Sequence, residues 1–219
     1  MIIIGICGAS GSGKSTLAQR IEDSLKCRCY VLGQDCYYYD HSSLPFEQRI
    51  HLNYDKPDSF NHDELLQDIQ ALQAKKPIQR KAYDYVEHKR ADTDYLIDPP
   101  DVLILEGIHV FHDPRLCEKM HLKAYMHVDV DVCLLRRVKR DIQKRGRSID
   151  MISEQYLSTV KPMFEKYITR YLYEADFAVI GGGFNARALD VICAYIKLKL
   201  PQKRRRLNPY FPQRYRKTT

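Results

Sequence analysis

The chain opens with a short apolar run, residues 2–7, that leads directly into a glycine-rich segment. Residues 8–15 have the sequence GASGSGKS, which fits the pattern G-x-x-x-x-G-K-[ST]. The apolar run is typical of a strand buried on both faces, and a helical pattern begins at Lys14. A strand, a glycine loop and a helix in this order bind anions, because backbone N–H groups and the helix N-terminus point at the ligand. The segment therefore predicts a phosphate-binding loop.

Individual ligands follow from this loop. Lys14 is expected to reach the terminal phosphates of a nucleoside triphosphate, and the Ser15 hydroxyl to coordinate Mg²⁺, which prefers oxygen ligands. Glu106 follows an apolar run and would bring a carboxylate to the same metal. The plainer alternatives are a glycine turn that only joins a strand to a helix and an acid that only caps a loop. The nucleotide-binding residues predicted in the loop are Gly8, Ala9, Ser10, Gly11, Ser12, Gly13, Lys14, Ser15 and Thr16.

Strand and helix patterns alternate along the chain. After the first strand, strands are predicted at 29–32, at 102–105, within 122–128 and at 177–180, and helices at 14–25, 62–74, 132–144, 154–171 and 186–199. This alternation predicts an α/β fold with a doubly wound, five-stranded parallel sheet. Ligands bind beyond the carboxyl ends of such strands, where the glycine loop, Asp35 and Glu106 would converge. Residues 78–97 interrupt the alternation and are predicted to form an inserted hairpin flap.

The formal net charge of +7 arises at one end of the chain. Residues 197–219 carry nine Lys and Arg and no acid, which leaves 26 basic and 28 acidic residues over 1–196. We therefore predict one domain over residues 1–200 and a basic tail over 201–219. Such a tail would bind RNA through its phosphates, but a solvated extension is the simpler interpretation. Nucleic acid is accordingly not expected as a partner.

The cysteine pattern and the hydropathy of the chain indicate the cellular compartment of the protein. The seven cysteines are spread through apparent core segments, and no C-x-x-C pair occurs among them. Buried thiols in a reducing compartment explain this pattern better than disulfides or a zinc site. The sequence shows no basic leader with a cleavage site and no run of about twenty apolar residues. We predict a cytoplasmic protein without a membrane-spanning segment.

Basic residues crowd the stretch 136–147. On a helix, Arg137, Arg140 and Lys144 share one face by their i, i+3, i+7 spacing, and Gly146 lets the chain leave the helix. An arginine-rich lid over about residues 136–150 would neutralise charge on a transferring phosphoryl group and exclude water. The plainer alternative is a solvated basic face. The basic residues of the stretch are Arg136, Arg137, Lys139, Arg140, Lys144, Arg145 and Arg147.

Acidic and aromatic residues elsewhere indicate what accepts the phosphoryl group. Asp35 follows a predicted strand, where it would take a proton from an attacking hydroxyl. Asp55 offers a carboxylate suited to vicinal hydroxyls, and aromatic residues of the flap would stack on a base and bind its edge. Each of these residues is also compatible with an ordinary structural role. The flap residues in question are Tyr83, Tyr85 and His88.

Seven short motifs occur in a fixed order along the chain. They are DCYY at 35–38, NYDKP at 53–57, YDYVEH at 83–88, EGI at 106–108, RRVKRD at 136–141, RGR at 145–147 and KPMF at 161–164. In order and spacing they resemble the uridine kinases, also called uridine-cytidine kinases, especially bacterial members. The resemblance covers about residues 2–196. It implies a P-loop kinase fold and phosphorylation of the 5′-hydroxyl of uridine or cytidine, giving UMP or CMP in pyrimidine salvage. It also implies Mg²⁺, ATP or GTP as phosphate donor, and a homo-oligomer, commonly a tetramer.

The resemblance further implies roles for single residues. Asp35 corresponds to the general base and Asp55 to the residue that holds the ribose hydroxyls. The implied catalytic set is Asp35, Lys14, Arg140 and Arg145, the two arginines contacting the nucleotide phosphates. The implied nucleoside-binding set is Asp35, Tyr38, Tyr54, Asp55, Tyr83, Tyr85, His88, Arg137, Arg147 and Gln155, with Tyr83 and His88 at the pyrimidine edge and Tyr54 and Tyr85 as its walls. The implied metal-binding set is Ser15, Glu106 and Asp35.

Two departures from the family pattern leave alternatives open. TRYLYE at 169–174 stands where the family usually has Pro-Ser-Lys, and IGGG at 180–183 stands where it has Pro-Arg-Gly-Gly. Donor preference, feedback inhibition and subunit contacts are therefore not determined by the resemblance.

The alternative functions are a related kinase of another small alcohol and a nucleotide-binding or RNA-associated regulator that uses the basic tail. The absence of an N-K-x-D segment argues against a GTP switch.

Overall fold

The structure is a computed structural model that describes residues 1–201. Apart from residue 201, the basic tail predicted at 201–219 lies outside the described residues. The strands within this range are β1 (Ile2–Gly8), β2 (Cys29–Gly33), β3 (Ile78–Gln79), β4 (Tyr83–Asp84), β5 (Lys89–Arg90), β6 (Leu96–Ile97), β7 (Val102–Gly107), β8 (Leu122–His127) and β9 (Phe177–Ile180). The α-helices are α1 (Lys14–Ser24), α2 (Phe46–Arg49), α3 (His62–Gln73), α4 (Pro114–Cys117), α5 (Val130–Arg145), α6 (Ile149–Gln155), α7 (Lys161–Lys166) and α8 (Ala186–Lys199).

Five of these strands form the central sheet of the described part of the chain. Their order is β2-β7-β1-β8-β9, and every neighbouring pair is parallel. The five strands are those that alternate with helices in the sequence. The prediction of a five-stranded parallel sheet is therefore confirmed.

Both faces of the sheet are covered, which explains why β1 is apolar at nearly every position. Successive side chains of a strand point to opposite faces. Ile2, Ile4 and Ile6 pack on the side of α1 and α8, whereas Ile3 and Cys7 pack on the side of α3. Helices on both faces make the sheet doubly wound. Because neither face of the sheet contacts water, its strands can be apolar at successive positions.

The predicted flap, residues 78–97, is built from two short antiparallel ladders. β3 pairs with β6, and β4 pairs with β5 farther out. Ion pairs attach it to α3: the Arg90 guanidinium donates to the Glu64 carboxylate at 2.7 and 3.2 Å, and Lys81 Nζ donates to Asp68 Oδ2 at 2.5 Å. The flap is thus an insertion held beside the carboxyl edge of the sheet.

The helix predicted over 154–171 is wrong as a single element. The structure has α6, a π-helical turn at Tyr156–Val160, α7 and a 3₁₀ turn at Ile168–Leu172. Pro162 lies in the first turn of α7, and proline has no N–H to donate to a carbonyl of the preceding turn. The turn before it widens, so that the Lys161 N–H bonds to the Tyr156 carbonyl five residues back.

The helix predicted over 132–144 is confirmed as α5. It ends at Gly146, whose φ of +64° is the left-handed conformation that closes many helices. No helix in residues 1–201 combines the length and the apolar character that crossing a bilayer requires.

Ile104→Ala is expected to lower the free energy of unfolding by about 2–5 kcal/mol, because the substitution leaves a cavity between the sheet and the helices α1 and α8. Ile104 is fully buried and lies opposite Ile4 and Val31 in the sheet. Ile180, at the end of β9, is 58% exposed, and Ile180→Ala is the control, with an expected change within about 0.5 kcal/mol. Urea denaturation measures both, and equal losses would contradict the assignment of Ile104 to the core.

Candidate active site

The glycine loop joins β1 to α1 at the carboxyl edge of the sheet. Gly11 has a φ of +85°, and a Cβ there would lie 2.3 Å from the carbonyl oxygen of Cys133. Only glycine combines this backbone conformation with so close an approach to α5. The loop is therefore shaped by backbone curvature and by contact with the helix that carries the arginines.

Lys14 and Ser15 occupy the first turn of α1, next to the end of β7. Lys14 Nζ donates to the Ala9 carbonyl at 3.0 Å, and Ser15 Oγ donates to Glu106 Oε1 at 2.7 Å. Burial raises the pKa of the Glu106 carboxyl, and the charge of Lys14 opposes this shift. A buried cation and a half-buried carboxylate thus lie next to the loop.

A cleft of about 420 Å³ opens beside this loop. Its lining includes Lys14, Ser15, Asp35 and Glu106 together with basic residues of α5. One hydroxyl and two carboxylates are oxygen ligands of the kind that Mg²⁺ prefers, and they fit such an ion. No group of three or more His, Cys, Asp or Glu side chains among residues 1–201 could hold a metal by itself. A cation here would therefore take further ligands from phosphate oxygens and water.

A second chamber adjoins the cleft and contains every residue of the implied nucleoside-binding set. Its free volume is about 60 Å³, much less than that of the cleft. The flap and the arginine-rich segment close it on two sides. Its lining residues are Ser10, Asp35, Tyr38, Tyr54, Asp55, Tyr83, Tyr85, His88, Ile108, Arg137, Arg140, Arg145, Arg147 and Gln155.

Asp35 lies where the cleft and the chamber meet, since it lines both. It belongs to a 3₁₀ turn, Gln34–Tyr37, that follows β2 directly. The Tyr85 hydroxyl donates to Asp35 Oδ2 at 2.7 Å. Burial and the nearby Asp35 charge raise the pKa of Tyr85, so that the phenol keeps its proton and remains a donor. The flap thereby orients one oxygen of the carboxylate that separates the two cavities.

Asp55 lies deeper in the chamber and is almost fully buried. Burial raises the pKa of its carboxyl, while Arg137 lowers it from 3.9 Å away. The Thr159 hydroxyl lies 3.3 Å from Asp55 Oδ2 and 3.0 Å from the Gln155 carbonyl oxygen, so its single hydrogen is shared between the two acceptors. The carboxylate thus has one weak neutral donor and one distant cation, which leaves it able to accept further hydrogen bonds.

The chamber wall formed by the flap is aromatic and neutral. The backbone of His88 has a φ of +50°. Its side-chain Nε2 accepts a hydrogen bond from Nη2 of Arg147 at 3.0 Å. Burial and the charge of Arg147 lower the pKa of His88 to about 4, so the imidazole is neutral at pH 7. Within residues 1–201 the buried hydroxyls of Tyr54 and Tyr83 have no hydrogen-bond partner other than each other. These hydroxyls are free to bind a polar edge of a ligand.

Asp141 is a buried acid of the site that sequence reasoning did not select. Its carboxylate is fully buried on α5 and lies among four arginines of the predicted lid. The shortest contact is 2.8 Å, from Arg140 Nε, and Arg145 Nη1 follows at 3.2 Å. Arg137 Nε and Arg147 Nη1 lie at 3.6 and 3.9 Å. Burial alone would raise the pKa of Asp141, but these guanidinium groups hold it below its usual value.

The sequence did contain a signal for Asp141. It is the only acid between residues 136 and 147, a stretch with seven basic residues. Like charges this dense repel one another unless an anion lies among them. An acid placed at the centre of such a run therefore indicates a structural counter-charge.

The arginines themselves divide between the two cavities. Arg136 lines the cleft and Arg140 lines both cavities, whereas Arg137 and Arg147 line the chamber and donate to Gln155 Oε1 at 2.9 and 2.7 Å. Arg145 also lines the chamber, with its guanidinium 4.0 Å from the ring centre of Tyr85. Arg145, which the resemblance implies contacts the nucleotide phosphates, therefore lies in the chamber and does not line the cleft.

Over residues 3–186 the sequence matches the family described as Phosphoribulokinase / Uridine kinase. The chain belongs to this family. Proteins named uridine kinase from Bacillus cereus (strain AH187) and Bacillus thuringiensis (strain Al Hakam) are 42% and 41% identical to it over 203 residues. The matches cover 92% of this chain and 96% of each relative.

Solved structures of other kinases share the architecture of this family member. Phosphoribulokinase from Rhodobacter spheroides has a TM-score of 0.61 at 14% identity, covering 85% of this chain and 74% of that one. D-glycerate 3-kinase from Cryptococcus neoformans has a TM-score of 0.53 at 14% identity, covering 75% and 78%. The implied P-loop kinase fold is confirmed by these likenesses.

Asp141→Asn is expected to lower the free energy of unfolding by on the order of 3 kcal/mol at low salt, because four arginines lose their buried counter-charge. The exposed acid Asp150 on α6 supplies the control, Asp150→Asn. Thermal unfolding with and without sodium sulfate measures the effect. Sulfate should stabilise Asp141→Asn more than the wild type, since it replaces the missing negative charge. A loss of stability that sulfate does not reduce would contradict the counter-charge role.

The contribution of Asp141 also has a definite pH dependence. Its pKa is lower in the folded protein than in the unfolded chain, where an ordinary Asp has a pKa of about 3.9. Its stabilisation is therefore complete at neutral pH and is lost as the pH falls below that value and through the folded pKa. The wild type and Asp141→Asn should accordingly converge in stability in acid, as measured by urea denaturation at a series of pH values.

Proposed function

We propose that this protein is a uridine/cytidine kinase that transfers the terminal phosphoryl group of ATP or GTP to the nucleoside 5′-hydroxyl. The observation that carries the proposal is the position of Asp35, which lines both the phosphate-loop cleft and the aromatic chamber. A donor in the cleft and an acceptor in the chamber would meet at this carboxylate. Identity of 42% to proteins named uridine kinase supports the same reaction.

Asp35 would accept the proton of the attacking hydroxyl. A general base must lie within hydrogen-bond reach of that proton, and the contact from Tyr85 leaves the second carboxylate oxygen of Asp35 available. Transfer to the phosphorus needs the hydroxyl in line with the breaking bond, so most of the catalysis is positioning and charge stabilisation. The walls of the chamber supply the positioning.

Positive groups around the cleft would stabilise the transferring phosphoryl group. Lys14 would approach the phosphates from the loop, and Arg140 and Arg145 from α5. Ser15, Glu106 and Asp35 would hold Mg²⁺, which when bound neutralises phosphate charge and orients the donor. The arginines also exclude water, which otherwise competes with the acceptor hydroxyl.

Acceptor recognition would rest on Asp55 and the flap. The buried carboxylate of Asp55 is suited to the two ribose hydroxyls, which are donors. The Tyr83 hydroxyl can both donate and accept, because burial raises the pKa of the phenol and keeps it protonated. It can therefore donate a hydrogen bond to the carbonyl of a uracil or accept one from the amino group of a cytosine.

Several expectations from the sequence stay predictions. A homo-oligomer, a cytoplasmic location, the role in pyrimidine salvage and the absence of a nucleic-acid partner belong to this group. A kinase of another small alcohol is disfavoured by the aromatic flap wall, which suits a planar base better than a small aliphatic acceptor. The RNA-associated alternative depends on residues outside the described range.

Asp35→Asn is expected to lower kcat by at least about 100-fold, because the variant loses general base catalysis. ADP release from ATP and Mg²⁺ is measured with a panel of nucleosides and other alcohols. Uridine and cytidine should stimulate release by the wild type. Asp58, an exposed acid three residues after Asp55, supplies the control, and Asp58→Asn should keep the wild-type rate. Stimulation by pantothenate instead of nucleosides, or a fast Asp35→Asn variant, would refute the proposed reaction.

Tyr83→Phe is expected to raise the KM for uridine and cytidine about 10-fold, the effect of one lost hydrogen bond in a buried site. The KM for ATP should stay unchanged, because Tyr83 lines only the chamber and not the cleft. Steady-state kinetics with each substrate varied in turn separates the two constants. Equal increases in the KM for the nucleoside and the KM for ATP would show that the Tyr83 hydroxyl does not bind the acceptor.

A further inference from the structure

We propose that His109 is a positioning residue for the phosphoryl acceptor, because it joins the segments that carry Asp35 and Asp55 to the end of β7. The inference rests on the proposed function, since it assigns the chamber to the acceptor. His109 lies three residues after Glu106 and is fully buried. It lines neither the cleft nor the chamber and belongs to none of the motifs that carry the resemblance.

The main chain of His109 is attached to the Asp35 segment. Its N–H donates to Gln34 Oε1 at 2.8 Å, and Gln34, also fully buried, directly precedes Asp35. Gly107 leaves room for this contact, because a Cβ at that position would lie 2.4 Å from Cβ of Gln34. The turn after β7 thus contacts the turn after β2 through a hydrogen bond shielded from water.

The side chain of His109 is attached to the Asp55 segment. Its Nε2 lies 2.7 Å from the backbone carbonyl oxygen of Asp55. A carbonyl oxygen can only accept, so Nε2 carries the proton. The imidazole is thereby the hydrogen-bond donor for a buried main-chain group of the residue expected to hold the ribose.

The other nitrogen of the ring is held by a tyrosine. Because Nε2 has the proton and the ring is neutral, Nδ1 is an acceptor, and the Tyr171 hydroxyl 3.0 Å away donates to it. The same hydroxyl oxygen lies 3.1 Å from Nδ1 of His112, which donates in turn. Burial lowers the pKa of His109 to about 3, in agreement with a neutral ring. Each group in this chain therefore donates to the next: His112 to Tyr171, Tyr171 to His109, and His109 to the Asp55 carbonyl.

The network has a specific mechanical consequence. The side-chain partners of Asp55 are Thr159, in the π-helical turn, and Arg137, on α5, so they do not attach its main chain to β7. His109 supplies that connection. Without it the Asp55 carbonyl is left buried and unpaired, and the carboxylate can shift relative to Asp35. A small displacement of the Asp55 carboxylate weakens the binding of the acceptor and leaves the phosphate loop unchanged.

The test compares His109→Leu with His109→Gln in the full chain. Leucine fills the space without a donor, whereas the glutamine amide places an N–H near the position of Nε2. His109→Leu is expected to raise the acceptor KM about 10-fold or more, with the KM for ATP within about two-fold, since displaced binding groups weaken acceptor binding. His109→Gln should restore the acceptor KM to within about three-fold. An unchanged acceptor KM in His109→Leu, or equal increases for acceptor and ATP, overturns the proposal.

A second measurement does not depend on turnover, and its deciding observation is made on the wild-type protein. In wild-type protein with ¹⁵N-labelled histidine, the His109 ring is expected as the Nε2–H tautomer. Tyr171→Phe removes the donor to Nδ1 and should shift the Nδ1 resonance while leaving Nε2 protonated. Observation of the Nδ1–H tautomer in the wild type overturns the proposal.

Failure of the proposed function is distinguishable from failure of this inference. The acceptor used in the kinetics is the alcohol that most stimulates ADP release by the wild type. If that alcohol is not a nucleoside, the proposed function is wrong, and the KM comparison is carried out with the alcohol that the wild type uses. A selective rise in its KM in His109→Leu supports the positioning role, and no selective rise refutes it.

Discussion

The register of three parallel strands determines where the chemistry of this protein can occur. Gly33 of β2 and Ile6 of β1 both lie opposite Glu106 of β7, so the three strands end at the same edge. The glycine loop, the turn that carries Asp35 and the turn that carries His109 all begin within a few residues of that line. A shift of one residue in any strand would turn its side chains to the other face and separate these groups.

The second constraint is the placement of charge. Cations for binding phosphates lie in the glycine loop and on α5, and the carboxylates Asp35, Asp55 and Glu106 lie opposite them. Buried charges need partners, and Asp141 supplies one for the arginines inside α5 itself. The arginines are therefore ordered before a phosphate arrives, which reduces the reorganisation that binding would otherwise require.

Much of the fold and part of the site could be predicted from local patterns. The apolar run of β1, the glycines of the loop and the acid at the end of β7 are local signals, because their physical reasons lie within a few residues. The helix predicted over 154–171 failed at Pro162, whose missing N–H was visible in the sequence but was overridden by the apolar periodicity around it. Asp141 was also visible, as a lone acid in a basic stretch, but only its burial shows that it is a counter-charge.

The sequence by itself determined the parallel sheet, the phosphate-binding loop and the residue types that reach the edge of that sheet. These depend on periodicity, on backbone conformation and on side-chain chemistry, which are properties of short segments. The tertiary structure decided that Asp35 would lie between two cavities and that Tyr85, fifty residues later, would donate to it. It also decided that His109, Tyr171 and Asp55 would form one directional network. Such contacts depend on how distant segments pack, and no local pattern contains that information.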